Sequence, residues 1–366
     1  MFIRIIAMIV LAAAVLIGCA PTAAPQPAAS PAQPTATAAS NAAPSSAKDT
    51  VVVGIYGGNT EQTFIKSVAD EFQKRYGLKI KTVPANNEQR LAQLKTQREN
   101  PQMDIAWFTD PILPDVVASG VIDKIDVSKL SNYKDTYQPL QPKDNMWVVH
   151  SVTPWGIVYN ADKVNPAPTS WRDLLDPKWN GQVMSSDITY SSSYLTLLAL
   201  ARLDGGDEKN LEPGFKNMKT LRAASPTFWT TSDQLNTLLK QGEVVMSPDA
   251  KGFVDVLAVN QKLSQFKFAY PKEGAYAVSM VMTIVKNAPN PDGAYKLLDL
   301  ALDPAAQAIF SAGTFYTPIN RKAVLPAEIA SLFPSPDQVE KLQTADWANL
   351  NTQKEAIVDR WQKEIR

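Results

Sequence analysis

The sequence predicts an α/β protein of two lobes, each a mainly parallel sheet flanked by helices. Three features point to this fold. Short apolar β-branched runs alternate with stretches of helical spacing from Thr50 onward. The chain has 366 residues, more than one hydrophobic core usually organises. Its composition, 45% hydrophobic and 20% charged, is that of an ordinary globular body.

Residues 1–18 read as a signal peptide. Arg4 is followed by an apolar run from Ile5 to Ile17, shorter than the ~20 residues a membrane-spanning helix needs. The block Leu16-Ile17-Gly18-Cys19 resembles a bacterial lipobox, which implies cleavage before Cys19 and its lipidation. Residues 19–49 then form a tether of Ala, Pro, Ser, Thr and Gln with no charge before Lys48. Such a segment buries too little apolar surface to offset its chain entropy.

The body opens with a buried strand at 50–56, broken by Gly57-Gly58-Asn59. Phe64, Val68, Phe72 and Tyr76 share one face of a helix from Thr60 to Tyr76, which Gly77 ends. A strand at 78–83, a helix from Asn86 to Arg98 and a strand at 103–108 complete a β-α-β-α-β unit, the pattern of parallel sheets. Farther on, Trp171 to Leu175 opens a short helix and 181–186 ends a strand. Ser193 to Leu203 is helical, and 244–247 is a strand followed by a helix from Lys251. Asp292–Leu302 and Pro304–Gly313 pair as helices, and the tail from Pro336 is helical.

Composition excludes several functions. Lys+Arg and Asp+Glu are both 36, so there is no basic footprint for nucleic acid. One Cys excludes an internal disulfide, and a single Cys and a single His argue against a zinc site built from those ligands. No resident metal or cofactor is expected. His150 has no evident catalytic partner. The chain contains no Gly-x-Ser-x-Gly elbow and no His-Glu-x-x-His helix, so an enzyme, such as a secreted hydrolase, is the weaker reading.

Five stretches, in order, resemble the solute-binding proteins of bacterial ABC importers, in their spermidine/putrescine and iron branch. They are Trp155-Gly156-Ile157-Val158-Tyr159-Asn160; Pro168-Thr169-Ser170-Trp171-Arg172-Asp173-Leu174-Leu175-Asp176-Pro177; Gln241-Gly242-Glu243-Val244; Tyr270-Pro271-Lys272-Glu273-Gly274; and Phe315-Tyr316-Thr317-Pro318-Ile319-Asn320. The resemblance runs from about residue 50 to about 325. It implies a type II periplasmic-binding-protein fold, two lobes joined by a hinge, with a small-molecule ligand in the interlobe cleft. Lobe one is expected at 50–154 plus 250–304, and lobe two at 155–249 plus 305–366. The implied partners are the permease subunits of an ABC importer and the outer face of the cytoplasmic membrane, reached through the lipid on Cys19. A monomer is expected, and a sensory receptor could use the same fold.

Strand ends and helix N-termini face the ligand in such sheets, which selects the candidates. Tyr56, Gly58 and Asn59 follow the first strand. Thr109 and Asp110 close the third. Ser192 and Ser193 precede a helix, near Asp187. Trp229 precedes another, and Asp249 follows a strand as the best single carboxylate. Tyr276 and Tyr316 are further aromatics. Polyamine binders hold ammonium groups between aromatic walls and carboxylates. Two of that branch's positions differ here: Met280 stands where an Asp is expected, and Ser247 or Pro248 where a Trp is. Iron binders use adjacent tyrosines, and no Tyr-Tyr pair exists in the chain. A polyamine-like solute is the main expectation. An anionic or zwitterionic organic solute, or ferric iron, is the alternative.

Overall fold

The computed structural model describes residues 49–366. The signal peptide, Cys19 and the tether up to residue 48 lie outside the described residues.

Strand β1 (Thr50–Ile55) leads into helix α1 (Asn59–Tyr76), β2 (Lys79–Pro84), α2 (Asn87–Thr96) and β3 (Ile105–Thr109). The local reasons are those read from sequence. Gly77 caps α1 at φ 68°, and Asn86 caps α2 with a reciprocal bond to Gln89. Helix α3 (Leu113–Ser119), β4 (Ile122–Asp123) and the long strand β5 (Val148–Asn160) follow. Then come α4 (Ser193–Arg202), α5 (Glu212–Ala224), α6 (Ser232–Gln241), β6 (Met246–Ala250), α7 (Lys251–Asn260), β7 (Phe266–Ala269) and β8 (Tyr276–Val285). Helices α8 (Pro291–Ala301) and α9 (Pro304–Thr314), β9 (Thr317–Pro318), α10 (Ala327–Ala330), α11 (Pro336–Glu340), α12 (Trp347–Thr352) and α13 (Lys354–Glu364) complete the chain.

The strands form one continuous sheet in the order β2-β1-β3-β8-β5-β6. Along this path only β2, β1 and β3 run parallel; β8 lies antiparallel to β3 and to β5, and β6 antiparallel to β5. The α/β class stands, and the expectation of mainly parallel pairing within it is corrected. Antiparallel β8 and β5 are inserted where parallel order was predicted, and they join what the sequence suggested were separate sheets. The run 181–186 makes only two isolated parallel bridges, Val183 to Met246 and Ser186 to Trp229, and Trp171–Leu175 is a 3-10 turn.

Apolar side chains divide into two clusters. The first gathers β1, β3, α1, α8, α9 and most of β8; the second gathers α4, α5, α7, Trp229 and Trp361. Strand β5 feeds both: Val148, Val149 and Val152 enter the first, and Trp155, Ile157, Val158 and Tyr159 the second. All thirteen of its residues are buried. This two-centred α/β body, with β5 and β8 passing between the centres, is the type II periplasmic-binding-protein fold. No helix among the described residues is long and apolar enough to cross a membrane.

Candidate functional site

One wall of the candidate site rises from the first cluster. Tyr56 follows β1, and its hydroxyl donates to Asn87 Oδ1 at the start of α2. Asn87 Nδ2 in turn donates to Thr109 Oγ1 at 2.9 Å, at the end of β3. The Arg90 guanidinium stands 4.8 Å from the Tyr56 ring centroid, and its Nη1 and Nη2 donate to the carbonyls of Trp107 and Ala85. Gly58 is exposed at φ 71° as the N-cap of α1, a conformation that favours glycine. The Asn59 amide donates to the Gly313 carbonyl at 2.9 Å, which ties this loop to the end of α9. Half-buried Tyr316 lies just beyond that tie, within electrostatic reach of Tyr56.

The second cluster supplies the facing wall. Trp229 is fully buried, and its indole N–H donates to Ser247 Oγ at 2.9 Å. The Tyr190 ring meets it edge-on at 4.8 Å and stacks near Trp155 at 6.0 Å. Asp249, on β6, is 1% exposed. Its carboxylate accepts the Ala250 amide at 2.7 Å and, more weakly, the Ser232 hydroxyl at 3.5 Å. Burial pushes this carboxyl up to about 7, with those two bonds opposing. Burial also raises the hydroxyls of Tyr190 and Tyr316, and the nearby Asp249 charge pushes both the same way. Asp249 is therefore set between aromatic groups of both walls. Among the described residues no basic group acts on it.

The structure thus brings Tyr56, Thr109, Trp229, Asp249 and Tyr316 toward one centre. Ser193 is buried beside it but commits its hydroxyl to Ser186 and the Asp187 carbonyl, both at 2.6 Å. Ser192 is buried and makes no side-chain cap bond for α4. Asp187 accepts from the Thr189 amide and hydroxyl, a local turn. Tyr276 is buried in the second core, opposite Trp155, with the Arg202 guanidinium over its ring. Asp110 turns elsewhere, accepting the Ser279 amide at 2.7 Å.

Sequence reasoning passed over Tyr190, Asn87 and Arg90. Tyr190 sits between Asp187 and Ser192, both singled out from sequence, so an aromatic inside that polar loop was the available signal. Nothing local marked Asn87 or Arg90, which matter only because α2 packs behind Tyr56. A groove of about 440 Å³ opens beside the cluster, lined from one side by Asn87 and Pro111 and from the other by Thr189, Ser191 and Tyr194. No group of His, Cys, Asp and Glu that could hold a metal ion occurs among the described residues.

The family described as bacterial extracellular solute-binding protein matches residues 100–351. A spermidine/putrescine-binding periplasmic protein of Salmonella typhimurium is 25% identical over 339 residues, covering 89% of this chain and 94% of that protein. A putrescine/agmatine-binding protein of Pseudomonas aeruginosa is 26% identical over 332 residues, covering 77% and 87% respectively. Among solved structures, an ABC transporter protein from Clostridium perfringens superposes with a TM-score of 0.78 at 23% identity. That match covers 86% of this chain and 100% of the other.

Proposed function

The chain belongs to the bacterial extracellular solute-binding proteins, and we propose that it captures an organic ammonium of the polyamine class between its two walls and delivers it to an ABC importer. The observation that carries this reading is Asp249: a buried carboxylate among Tyr190, Trp229 and Tyr316, with no basic group of the described residues acting on it. A buried charge needs a partner, and aromatic faces favour a cation. Arg90, the buried cation of the opposite wall, directs its Nη atoms to backbone carbonyls. Tyr56, Gly58, Asn59, Thr109, Ser192, Ser193, Trp229 and Tyr316 complete the proposed binding set.

A second reading has its own observation. Tyr56, Tyr190 and Tyr316 fall within electrostatic reach of one another or of Asp249. Phenolate and carboxylate oxygens are hard donors suited to ferric iron, so the fold assembles tyrosines that the sequence keeps apart.

The two are separated by titrating the chain, freed of its lipid, with putrescine, spermidine, 2-aminoethylphosphonate and ferric citrate in a calorimeter. Putrescine or spermidine binding that Asp249→Asn removes supports the first reading. A visible phenolate-to-iron band with no polyamine heat overturns it in favour of the second.

The lobes we propose follow the two apolar clusters. Residues 250–269 then go with lobe two, where the sequence segmentation placed them in lobe one, and 305–342 with lobe one. We further propose a monomer, without catalytic activity, held at the membrane by lipid on Cys19. Globomycin-sensitive processing and incorporation of radiolabelled palmitate test the anchor.

A further inference from the structure

Asp110 does not join the aromatic cluster. It lines a separate pocket of about 580 Å³ between α3, the segment 139–149 and the start of α12. That volume is in the range of small-molecule sites. Leu113, Val117, Leu140, Trp147 and Trp347 supply apolar walls; Trp347 also borders the groove of about 440 Å³, but none of Tyr56, Tyr190, Trp229 and Tyr316 lines this pocket. Asp110 closes the pocket on the side of the sheet, at β3's exit turn, where Ser279 of β8 donates its amide. Apart from Ser279, no described group acts on its carboxyl, and burial pushes it up to about 7. At the rim stand Asp144, Asp346 and Lys143, all exposed, so the excess of charge is negative there too.

We infer that this pocket is a second binding site, selective for a small organic ammonium with an apolar body. The apolar part packs between Trp147 and Trp347, and the ammonium meets the Asp110 carboxylate. An apolar cavity with a single inner carboxylate favours such a ligand on two counts: it removes apolar surface from water, and it supplies the counter-charge that the folded chain lacks. A neutral ligand of the same shape gains only the first. The asymmetry between walls also sets orientation, because the carboxylate stands at the sheet end of the pocket. Since α12 is held to the Asp110–Ile112 turn by Asn351, which donates to the Pro111 carbonyl at 2.9 Å, the two sides of the pocket are fastened together. The site does not depend on which solute the cleft holds.

The test uses the full chain with 2-phenylethylammonium as probe and 2-phenylethanol as its neutral isostere, followed by tryptophan fluorescence and calorimetry. The ammonium is expected to bind about tenfold or more tightly than the alcohol. Asp110→Asn keeps an oxygen for the Ser279 amide and is expected to erase that preference, while Asp249→Asn keeps it. Equal binding of the two probes, or a preference that survives Asp110→Asn, overturns the inference. So does a preference lost only in Asp249→Asn, which assigns the probe to the cleft. Should Asp110→Asn not fold, Val117→Phe decides: it fills the pocket and leaves the carboxylate, and undiminished binding of the ammonium overturns the site.

Discussion

Ser170 donates its hydroxyl to the Glu273 carboxylate at 2.5 Å, across 103 positions of sequence. The same carboxylate accepts the Trp171 amide at 3.2 Å, and the Trp171 indole N–H donates to the Gly274 carbonyl at 2.9 Å. A main-chain bond runs beside them, from the Lys272 amide to the Thr169 carbonyl at 2.7 Å. The Pro-x-x-Trp-x-Asp-Leu-Leu-Asp-Pro stretch and the Pro-Lys-Glu-Gly stretch are therefore two halves of one lock. Together they hold the turn that enters β8.

Breaking the lock is expected to cost stability. Ser170 also accepts the Arg172 amide as an N-cap, so Ser170→Ala removes a cap and a bond to a carboxylate, together about 2 kcal/mol. Glu273→Gln is expected to cost about 1–2 kcal/mol. Urea unfolding of the two single variants and the double variant checks this. A double variant no worse than either single one shows the coupling, and fully additive losses would exclude it.

Gly274 has φ 105°, and a side chain there would run into Gln343, whose amide donates to the Glu273 carbonyl. Gly274→Ala is expected to destabilise by about 1–3 kcal/mol through backbone strain and displacement of Gln343. Thermal unfolding measures it. Adding Gln343→Ala should recover part of the loss, and no recovery would assign the whole effect to φ.

Asp249 makes stability depend on pH. Folded, it keeps its proton up to about 7; unfolded, it gives the proton up near the ordinary 3.8. The folded state holds more protons between those values, so this contribution is full below 3.8 and is lost as pH rises through 7. Relative to the unliganded wild type, Asp249→Asn should gain up to about 1.4 kcal/mol per pH unit across that window. Chemical denaturation at intervals from pH 4 to 8 gives the difference, and a pH-independent difference counts against the assignment.

His150 acts with the opposite sign. It is buried among Trp107, Phe64 and Phe310, and burial lowers it from 6.5 to about 3. Unfolding lets it take a proton, so its contribution is full above 6.5 and is lost as pH falls toward 3. His150→Phe should hold its stability better than the wild type by about 1.4 kcal/mol per unit in that window. Matched denaturation curves at pH 7.5 and 5 read the difference, and parallel curves refute it.

The local elements and much of the wall chemistry were legible in the amino-acid order. The face of α1 that carries Phe64, Val68 and Phe72, the Gly77 cap, and the α8–α9 pair all rest on spacing and capping, which act within a few residues. Asp249 and Trp229 were legible for the same reason, as a strand-end carboxylate and an aromatic before a helix. Whatever depends on partners far away in the chain had to wait for the assembled fold. Tyr276–Val285 reads locally as an apolar, β-branched run, but its place antiparallel between β3 and β5 is set by partners far off in the chain. Tyr190 enters the cluster only once Trp155 of β5 and Trp229 stand beside it, and Asp110 leaves it for Ser279 only once β8 lies against β3. Burial then gives Asp110 and Asp249 their raised carboxyls, since desolvation is a property of the assembled surroundings and not of the residue.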